Sequence, residues 1–301
     1  MQAHQTRRAI VAGVDGSESA LAAVRWAARE AARMHQPLRL VHAFGWPETR
    51  HIGDPELGDD RRAVLLRVAH EQVSAAANAA AAAAPSIEIE QEVDPGYPIP
   101  VLEAESRRAQ LLVLGSRGLG GVLGLLVGSV TVALAAHAAC PVVVIRDAEP
   151  VTASAQLPVM VGVDGTPNSE AAIAFAFGAA DARRVPLVAV HTFWDMLAEP
   201  SLDPLFDWEA IETREREVLA ERLAGWAEKY PDVQVQRIVT RDRPAHCLLE
   251  HAHRAQLVVV GSRGRSAFAG LVLGSVSHAL LHHAPCPITV VRPAPASGPG
   301  G

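Results

Sequence analysis

Two glycine-rich motifs in the chain have the residue types and the spacing that can hold a phosphate group. Residues 115–118 read Gly-Ser-Arg-Gly and are followed, after nine residues, by Gly-Ser-Val at 128–130. The same letters with the same gap recur at 261–264 and 274–276. Glycine lets a backbone come close to a ligand, and the N–H groups that begin a helix attract anions. The repetition therefore predicts a duplicated pocket of nucleotide size.

The side chains next to these glycines favour phosphate binding. Arg117 and Arg263 can reach a phosphate, and Ser129 and Ser275 begin helices whose first N–H groups would face an anion. The alternative interpretation is that the glycines only permit a tight turn in a mobile loop. Other phosphate motifs fit less well, because Lys229 is the only lysine and no G-x-x-x-x-G-K-[ST] element is present.

An aspartate ends the first apolar run of each half, at Asp15 and at Asp164. A carboxylate there could accept hydrogen bonds from a base or a ribose, or help to hold a hydrated divalent cation. The alternative is that it only caps the next helix, a role that Ser17 or Ser19 could also fill; Ser19 is the predicted N-cap. If the first and fourth strands are neighbours, the aspartate and the glycines frame one crevice.

The histidines give weaker indications of chemistry. His42 and His191 recur after the second strand of each half, and we expect them to be half-buried structural residues. His278 and His282 have the i, i+4 spacing of zinc ligands, but the first half has no histidine at the matching positions. No Ser/His/Asp or Cys/His set repeats between the halves, so the sequence predicts no catalytic residue and no protein-bound metal.

The repeat extends over the whole chain and predicts two domains. Asp15 and Asp164 are 149 positions apart, whereas Gly115 and Gly261 are 146 apart, so the second half has lost three residues between about 45 and 85. A repeat of this length is a duplicated domain. We predict domains at 1–150 and 151–301, with a disordered tail from about 294.

Each half alternates strands with helices, which predicts an α/β fold with parallel sheets and helices on both faces. Residues 87–93 alternate apolar with polar side chains and are expected to form a strand near the sheet edge. In the first half the predicted strands are 9–14, 38–43, 87–93, 111–114 and 142–145, and the predicted helices are 19–34, 59–84, 99–108 and 129–138. The second half repeats this order between 159 and 291.

Composition narrows the class of protein. The 33 acidic residues exceed the 27 basic residues, for a net charge of −6, which argues against a nucleic-acid partner. No apolar run of membrane-spanning length and no signal-peptide pattern is found, so we expect no membrane association. Three cysteines do not make a disulfide framework, and a cytoplasmic location is expected.

The motifs together carry a family resemblance. V-D-G-S-x-x-S near the start, V-H after the second strand, and G-S-R-G-x9-G-S-V before a Cys-Pro pair resemble the universal stress protein family. The likeness is to its ATP-binding, tandem-domain form in actinobacteria, including mycobacteria, and it covers nearly the whole chain. It implies two Rossmann-like domains, each with a five-stranded parallel sheet of order 3-2-1-4-5.

The resemblance also implies one ATP per domain, with Mg²⁺ carried by the ATP phosphates. In the first domain, Asp15 and Val41 would meet the ribose and adenine. The phosphates and nearby ribose would be held by Leu114, Gly115, Arg117, Gly118, Gly128, Ser129 and Val130. The second set would be Asp164, Val190, Val260, Gly261, Arg263, Gly264, Gly274, Ser275 and Val276.

The resemblance further implies a regulator whose ATP occupancy sets its conformation or its choice of an unknown protein partner. The two domains are expected to pair through the strands at 142–145 and 288–291, and two chains could form a homodimer. A slow ATPase or a nucleotide-dependent transferase on the same fold is the alternative. A third alternative is an interaction protein whose ligand sites are vestigial.

Overall fold

Ten strands and eight helices form in the described part of the chain, and they fall into two units, Met1–Glu149 and Pro150–Gly301. The computed structural model describes residues 8–45, 55–118, 127–146, 156–193, 207–264 and 273–293, with residues 55–61 described as backbone only. The predicted domain boundary at 150/151 and the predicted tail from about 294 lie outside these ranges.

The first unit alternates strands and helices in the predicted order. Its strands are β1 (Ile10–Gly13), β2 (Leu38–Phe44), β3 (Ile89–Pro95), β4 (Leu111–Gly115) and β5 (Val142–Ile145). Its helices are α1 (Glu18–Met34), α2 (Pro55–Ala83), α3 (Pro98–Ser106) and α4 (Ser129–His137).

The second unit repeats the series, with one short 3₁₀ turn at Pro167–Ser169 before its first helix. Its strands are β6 (Val159–Val163), β7 (Leu187–Thr192), β8 (Val235–Thr240), β9 (Leu257–Gly261) and β10 (Ile288–Val291). Its helices are α5 (Glu170–Arg183), α6 (Trp208–Lys229), α7 (Pro244–Ala252) and α8 (Ser275–His283).

The strand order of each unit is the predicted one. In the first unit it is β3-β2-β1-β4-β5 and in the second β8-β7-β6-β9-β10, and the pairs within each unit are parallel. Ile10 pairs with Leu38 on one side and with Leu111 on the other, so β1 lies between β2 and β4. The strand predicted to be near an edge, β3, is the outermost of its unit.

The order places the helices on the two faces of each sheet. Helices α1 and α2 contact each other, as do α3 and α4, because right-handed crossovers to the left and to the right of β1 lie on opposite faces. Successive strands are added on one side of β1 as far as β3 and then on its other side, beginning with β4. The carboxyl ends of β1 and β4 are therefore the place where an open sheet of this kind forms a crevice.

The two units differ in what fills the space between their first two helices. On the α1–α2 side, Ala27, Ala28, Ala76 and Ala80 are fully buried, and small side chains let two helices approach closely. On the α5–α6 side, Phe177 takes the position of Ala28. Its ring stacks on Trp226 at 6.4 Å and on Tyr230 at 5.9 Å between centroids. These two residues take the positions of Ala80 and Ala84.

The start of α1 corrects one prediction. Ser17, not Ser19, is the N-cap: its Oγ accepts a hydrogen bond from Ala20 N at 3.1 Å. Both serines fit the preference for a small hydroxyl residue, and the left-handed Gly16 turn decides between them by fixing where the helix begins. Within the described ranges, no helix is both long enough and apolar enough to cross a membrane.

Candidate functional site

The turn after β1 is organised by Asp15. Its Oδ1 accepts hydrogen bonds from Ser17 N at 3.0 Å and from Ser17 Oγ at 2.6 Å. The turn needs a left-handed residue, and Gly16 supplies it with a φ of 84°. Asp15 therefore does not cap the helix, as the alternative had it, but holds the N-cap Ser17 through one oxygen, while its second oxygen points toward the glycine motif.

The glycine motif after β4 lies against this aspartate. A Cβ added to Gly118 would be 2.4 Å from Asp15 Oδ2, a distance that real side chains do not reach. A Cβ on Gly115 would likewise meet the backbone at Ala20 at 2.8 Å. The sequence motifs that follow the first and fourth strands are therefore in direct contact. A side chain at Gly115 would meet backbone atoms, whereas one at Gly118 would displace the Asp15 carboxylate.

The start of α4 closes the crevice from the other side. Its N-cap, Gly128, makes no side-chain capping bond, and Gly128 N donates to Ser116 O at 2.7 Å. Thr131 Oγ1 donates to Gly115 O at 2.9 Å and so ties the helix to the end of β4. Ser129 is exposed, and the first turn of α4 offers N–H groups at the positive end of its dipole.

These elements enclose a cleft of about 720 Å³ in the first unit. That volume lies within the range of small-molecule sites. All nine residues that the sequence singled out in this half line it, namely Asp15, Val41, Leu114, Gly115, Arg117, Gly118, Gly128, Ser129 and Val130.

One wall of the cleft was missed by the sequence reasoning. It comes from α2, where Leu65, Val68, Ala69 and Gln72 line the cleft. Leu65 and Val68 are 49% and 39% exposed, which is high for large apolar side chains. Their i, i+3, i+4, i+7 spacing was a usable signal of a helix face, but the many alanines that follow obscured it.

His42, at the end of β2, also lines this cleft. Burial lowers the pKa of its imidazole, and the neighbouring Asp15 carboxylate offsets only part of that effect. The ring is hydrogen-bonded to the Val14 backbone. The first cleft therefore presents a neutral imidazole at neutral pH, a group that can both donate and accept hydrogen bonds.

The second unit brings the matching motifs together with more space between them. Asp164 Oδ1 accepts from Thr166 N and Thr166 Oγ1, each at 2.8 Å. Asp164 Oδ2 is buried and has no hydrogen-bond partner, which is costly unless a ligand supplies a donor. A Cβ on Gly264 would lie 3.6 Å from that oxygen, an ordinary contact.

The rest of the predicted second set follows the first in position. Val190 lies on β7, Val260 and Gly261 end β9, and Arg263 is exposed just beyond it. Gly274, Ser275 and Val276 form the start of α8, where Gly274 N donates to Ser262 O at 2.7 Å, as in the first unit.

His191, near the end of β7, is more deeply buried than its counterpart His42 and than the half-burial that we expected. His191 is fully buried, with Nδ1 2.8 Å from Val163 O and Nε2 2.7 Å from Glu215 Oε2. Glu215 comes from α6, which is also attached by a hydrogen bond from Arg222 Nε to Gly165 O at 3.1 Å. No pattern in the sequence predicts the Glu215 contact or the Arg222 contact.

Other groups that could do chemistry lie elsewhere. The rings of His278 and His282 are 4.5 Å apart on α8. Asp242, just before α7, and His246 and Glu250, on the exposed side of that helix, place one potential ligand atom each within 4.8 Å of one another. The Asp242 hydrogen bond raises the pKa of His246.

The three cysteines, Cys140, Cys247 and Cys286, are buried and form no disulfide. Burial raises the pKa of the Cys140 thiol to about 12 and that of Cys247 to about 11. Thiols held in this protonated state are poor nucleophiles and poor metal ligands, so they act as packing groups.

The fold defines each unit as a Rossmann-like α/β domain with a glycine motif at its topological switch point, and in the first unit that motif lines a cleft. The universal stress protein family model matches residues 6–146 and 157–292, and the chain belongs to that family. A universal stress protein of Mycolicibacterium smegmatis is 40% identical over 293 residues, covering 96% of this chain and 98% of that protein.

A universal stress protein of Mycobacterium tuberculosis is 42% identical over 290 residues, covering 94% of this chain and 96% of that protein. Among solved structures, a universal stress protein from Archaeoglobus fulgidus is similar with a TM-score of 0.69 at 20% identity. The match covers 95% of this chain and 99% of that one and shows the shared fold.

Proposed function

We propose that this universal stress protein binds ATP with Mg²⁺ in the crevices of its units and acts as a nucleotide-dependent regulator of the stress response. The observation that carries the proposal is the contact between Gly118 and Asp15 Oδ2. It joins an anion-binding glycine turn to a carboxylate acceptor in one cleft of about 720 Å³. Few ligands other than a nucleotide need both.

The chemistry of the donor set fits each part of the ligand. The glycine turn and the first N–H groups of α4, with Arg117 beside them, suit the phosphates. Asp15 Oδ2 suits ribose hydroxyls, and the apolar wall of Leu65 and Val68 suits the flat face of a base. When bound, Mg²⁺ would neutralise phosphate charge, and it would arrive with the phosphates. Asp164 Oδ2, buried without a donor, supports the same role for the second crevice.

The regulatory part of the proposal rests on the same site. Nucleotide bound across β1, β4 and α2 would order the helix against the sheet and so change the surface offered to a protein partner. We place this action in the cytoplasm, because three buried cysteines that form no disulfide suit a reducing compartment. In this proposal the bound nucleotide is itself the signal, so the protein does not need to hydrolyse it.

The test measures occupancy and turnover on the full chain. Protein purified without added nucleotide is denatured, and released small molecules are separated by chromatography. We expect an adenine nucleotide, and calorimetric titration of stripped protein with Mg·ATP should show binding. Phosphate release over many turnovers would indicate an ATPase instead. Protein that carries no nucleotide and gives no binding heat would contradict the proposal.

A further inference from the structure

The helices that flank the two crevices occupy equivalent places, which allows a residue-by-residue comparison. A Cβ on Gly16 would meet Gln72 of α2, and a Cβ on Gly165 would meet Val218 of α6. Gln72 and Val218 are 146 positions apart, the register that the repeat keeps from this region onward. Position 69 of the first unit therefore corresponds to position 215 of the second.

The side chains at this pair of positions differ in size and charge. Ala69 is 1% exposed and forms part of the wall of the first cleft. Glu215 instead extends from α6 to the histidine at the end of β7, with 2.7 Å between Oε2 and His191 Nε2. A methyl group in the first unit is thus replaced by a carboxylate in the second.

Hydrogen-bond geometry shows that the contact in the second unit is a strong one. Both ring nitrogens of His191 face oxygen acceptors, Val163 O and Glu215 Oε2. With Glu215 ionised, the ring can donate to both only as an imidazolium, and the contact is then charge-assisted. The ring is fully buried, so solvent does not screen the pair from that side.

The contact lies beside the predicted ligand position. A Cβ on Gly165 would be 3.3 Å from His191 Cε1, which places the ring against the turn that carries Asp164. Arg222 fastens α6 to the same turn, where the first unit has Ala76. A ligand entering the second crevice therefore meets a helix that two polar contacts hold, one to His191 and one to Gly165.

We propose that Glu215 makes the two crevices unequal, so that the first unit is the high-affinity nucleotide site and the second a weaker one. This inference rests on the proposed function and concerns how the chain divides binding between its units. The carboxylate takes space that Ala69 leaves open, and its hydrogen bond to His191 holds it there. Glu215 is then an affinity-determining residue.

Calorimetric titration with Mg·ATP tests this on the full chain. Wild-type protein should give two sites whose dissociation constants differ by about tenfold or more. Gly118→Ala, which disables the first site, should leave one weak site. Adding Glu215→Ala to that protein should tighten the remaining site by about tenfold. Glu215→Gln keeps a similar shape and a hydrogen-bond acceptor, so it should leave the remaining site weak, because the side chain still fills the same space.

The matched control removes a carboxylate elsewhere on α6. Glu212 pairs with Arg216 on the exposed side of the helix, and Glu212→Ala in the Gly118→Ala protein should leave the affinity unchanged. The reciprocal change, Ala69→Glu, should weaken the first site and spare the second. Circular dichroism melting confirms that each variant is folded.

The outcomes separate the two proposals. Two equal sites in wild-type protein, or no gain from Glu215→Ala in folded protein, would overturn the inference while leaving ATP binding intact. The absence of any Mg·ATP binding in wild-type protein would overturn the proposed function, and this inference with it.

Discussion

At the scale of single residues, the first crevice depends on its glycines, which have no side chain, as much as on the side chain of Asp15. Asp15 Oδ1 is held by Ser17, so Asp15 cannot turn away without losing two hydrogen bonds. Gly118 leaves the space into which Oδ2 points. In the second unit the same pair is further apart, and the glycine is less constrained by its neighbour.

This difference predicts unequal effects of the same substitution. Gly118→Ala would place a methyl carbon 2.4 Å from Asp15 Oδ2 and displace the carboxylate, whereas Gly264→Ala would leave 3.6 Å. We expect Gly118→Ala to weaken Mg·ATP binding in the first unit by about a hundredfold or more, roughly 2.8 kcal/mol, which leaves the second site as the tighter one. Gly264→Ala should have a much smaller effect on the second unit, as measured by calorimetry.

A suitable control is Gly225→Ala, because a Cβ at that helical position meets no atom within 4 Å. It makes the same chemical change without crowding and should leave binding unaltered. Equal losses in Gly118→Ala and Gly264→Ala would show that the Asp15 contact is not what makes the first glycine necessary.

At the scale of elements, α2 and α6 are two solutions for covering the same face of a sheet. Alanines such as Ala76 and Ala80 are fully buried on α2, so this helix presents a smooth, small-residue face. On α6, Trp226 and Tyr230 stack on Phe177 of α5. In the second unit these three rings fill the space between the helices. In the first unit the alanines let the two helices approach closely, so no such space is left.

The aromatic group predicts a localised stability effect. Phe177 is fully buried, and Phe177→Ala should lower the free energy of unfolding of the second unit by about 3–5 kcal/mol. Phe177→Leu, which keeps most of the volume, should cost less. Urea denaturation followed by far-ultraviolet circular dichroism measures both. A loss below about 1 kcal/mol for Phe177→Ala would show that the stacked rings are not supporting α6.

The elements also show how far sequence reasoning reaches. The strands were predictable because buried strands are continuous apolar runs, whereas their order was predictable only through the family resemblance. The meeting of Asp15 with the glycine motif was predicted on the condition that the first and fourth strands are neighbours. The α2 wall and the Glu215 contact were not, because they depend on the rotation and depth of a helix. Pairing of the strands at 142–145 and 288–291 and formation of a homodimer stay predictions.

At the scale of the whole molecule, the duplication has kept the fold and changed the interior. Each unit has its own five-stranded sheet, with fully buried central strands such as β4 and β9. Both belong to one family, yet one crevice has an alanine where the other has a glutamate. A tandem chain of this kind lets one copy keep a ligand site while the other changes.

Because each unit has its own core, we expect residues 1–149 and 150–301 to fold when produced separately. Domains of about this size bury enough surface to be stable alone. Each fragment should show native-like circular dichroism and one cooperative urea transition, and the first should retain Mg·ATP binding. A fragment lacking a cooperative transition would show that the units depend on each other for stability.

The buried thiols allow the rate at which each unit unfolds to be measured. Cys140 belongs to the first unit, and Cys247 and Cys286 belong to the second, all three shielded from reagents in the folded state. An alkylating reagent should therefore label the protein only as fast as each unit opens. Mass spectrometry of the labelled peptides would then time the opening of the two units separately within a single sample, with no engineered probe.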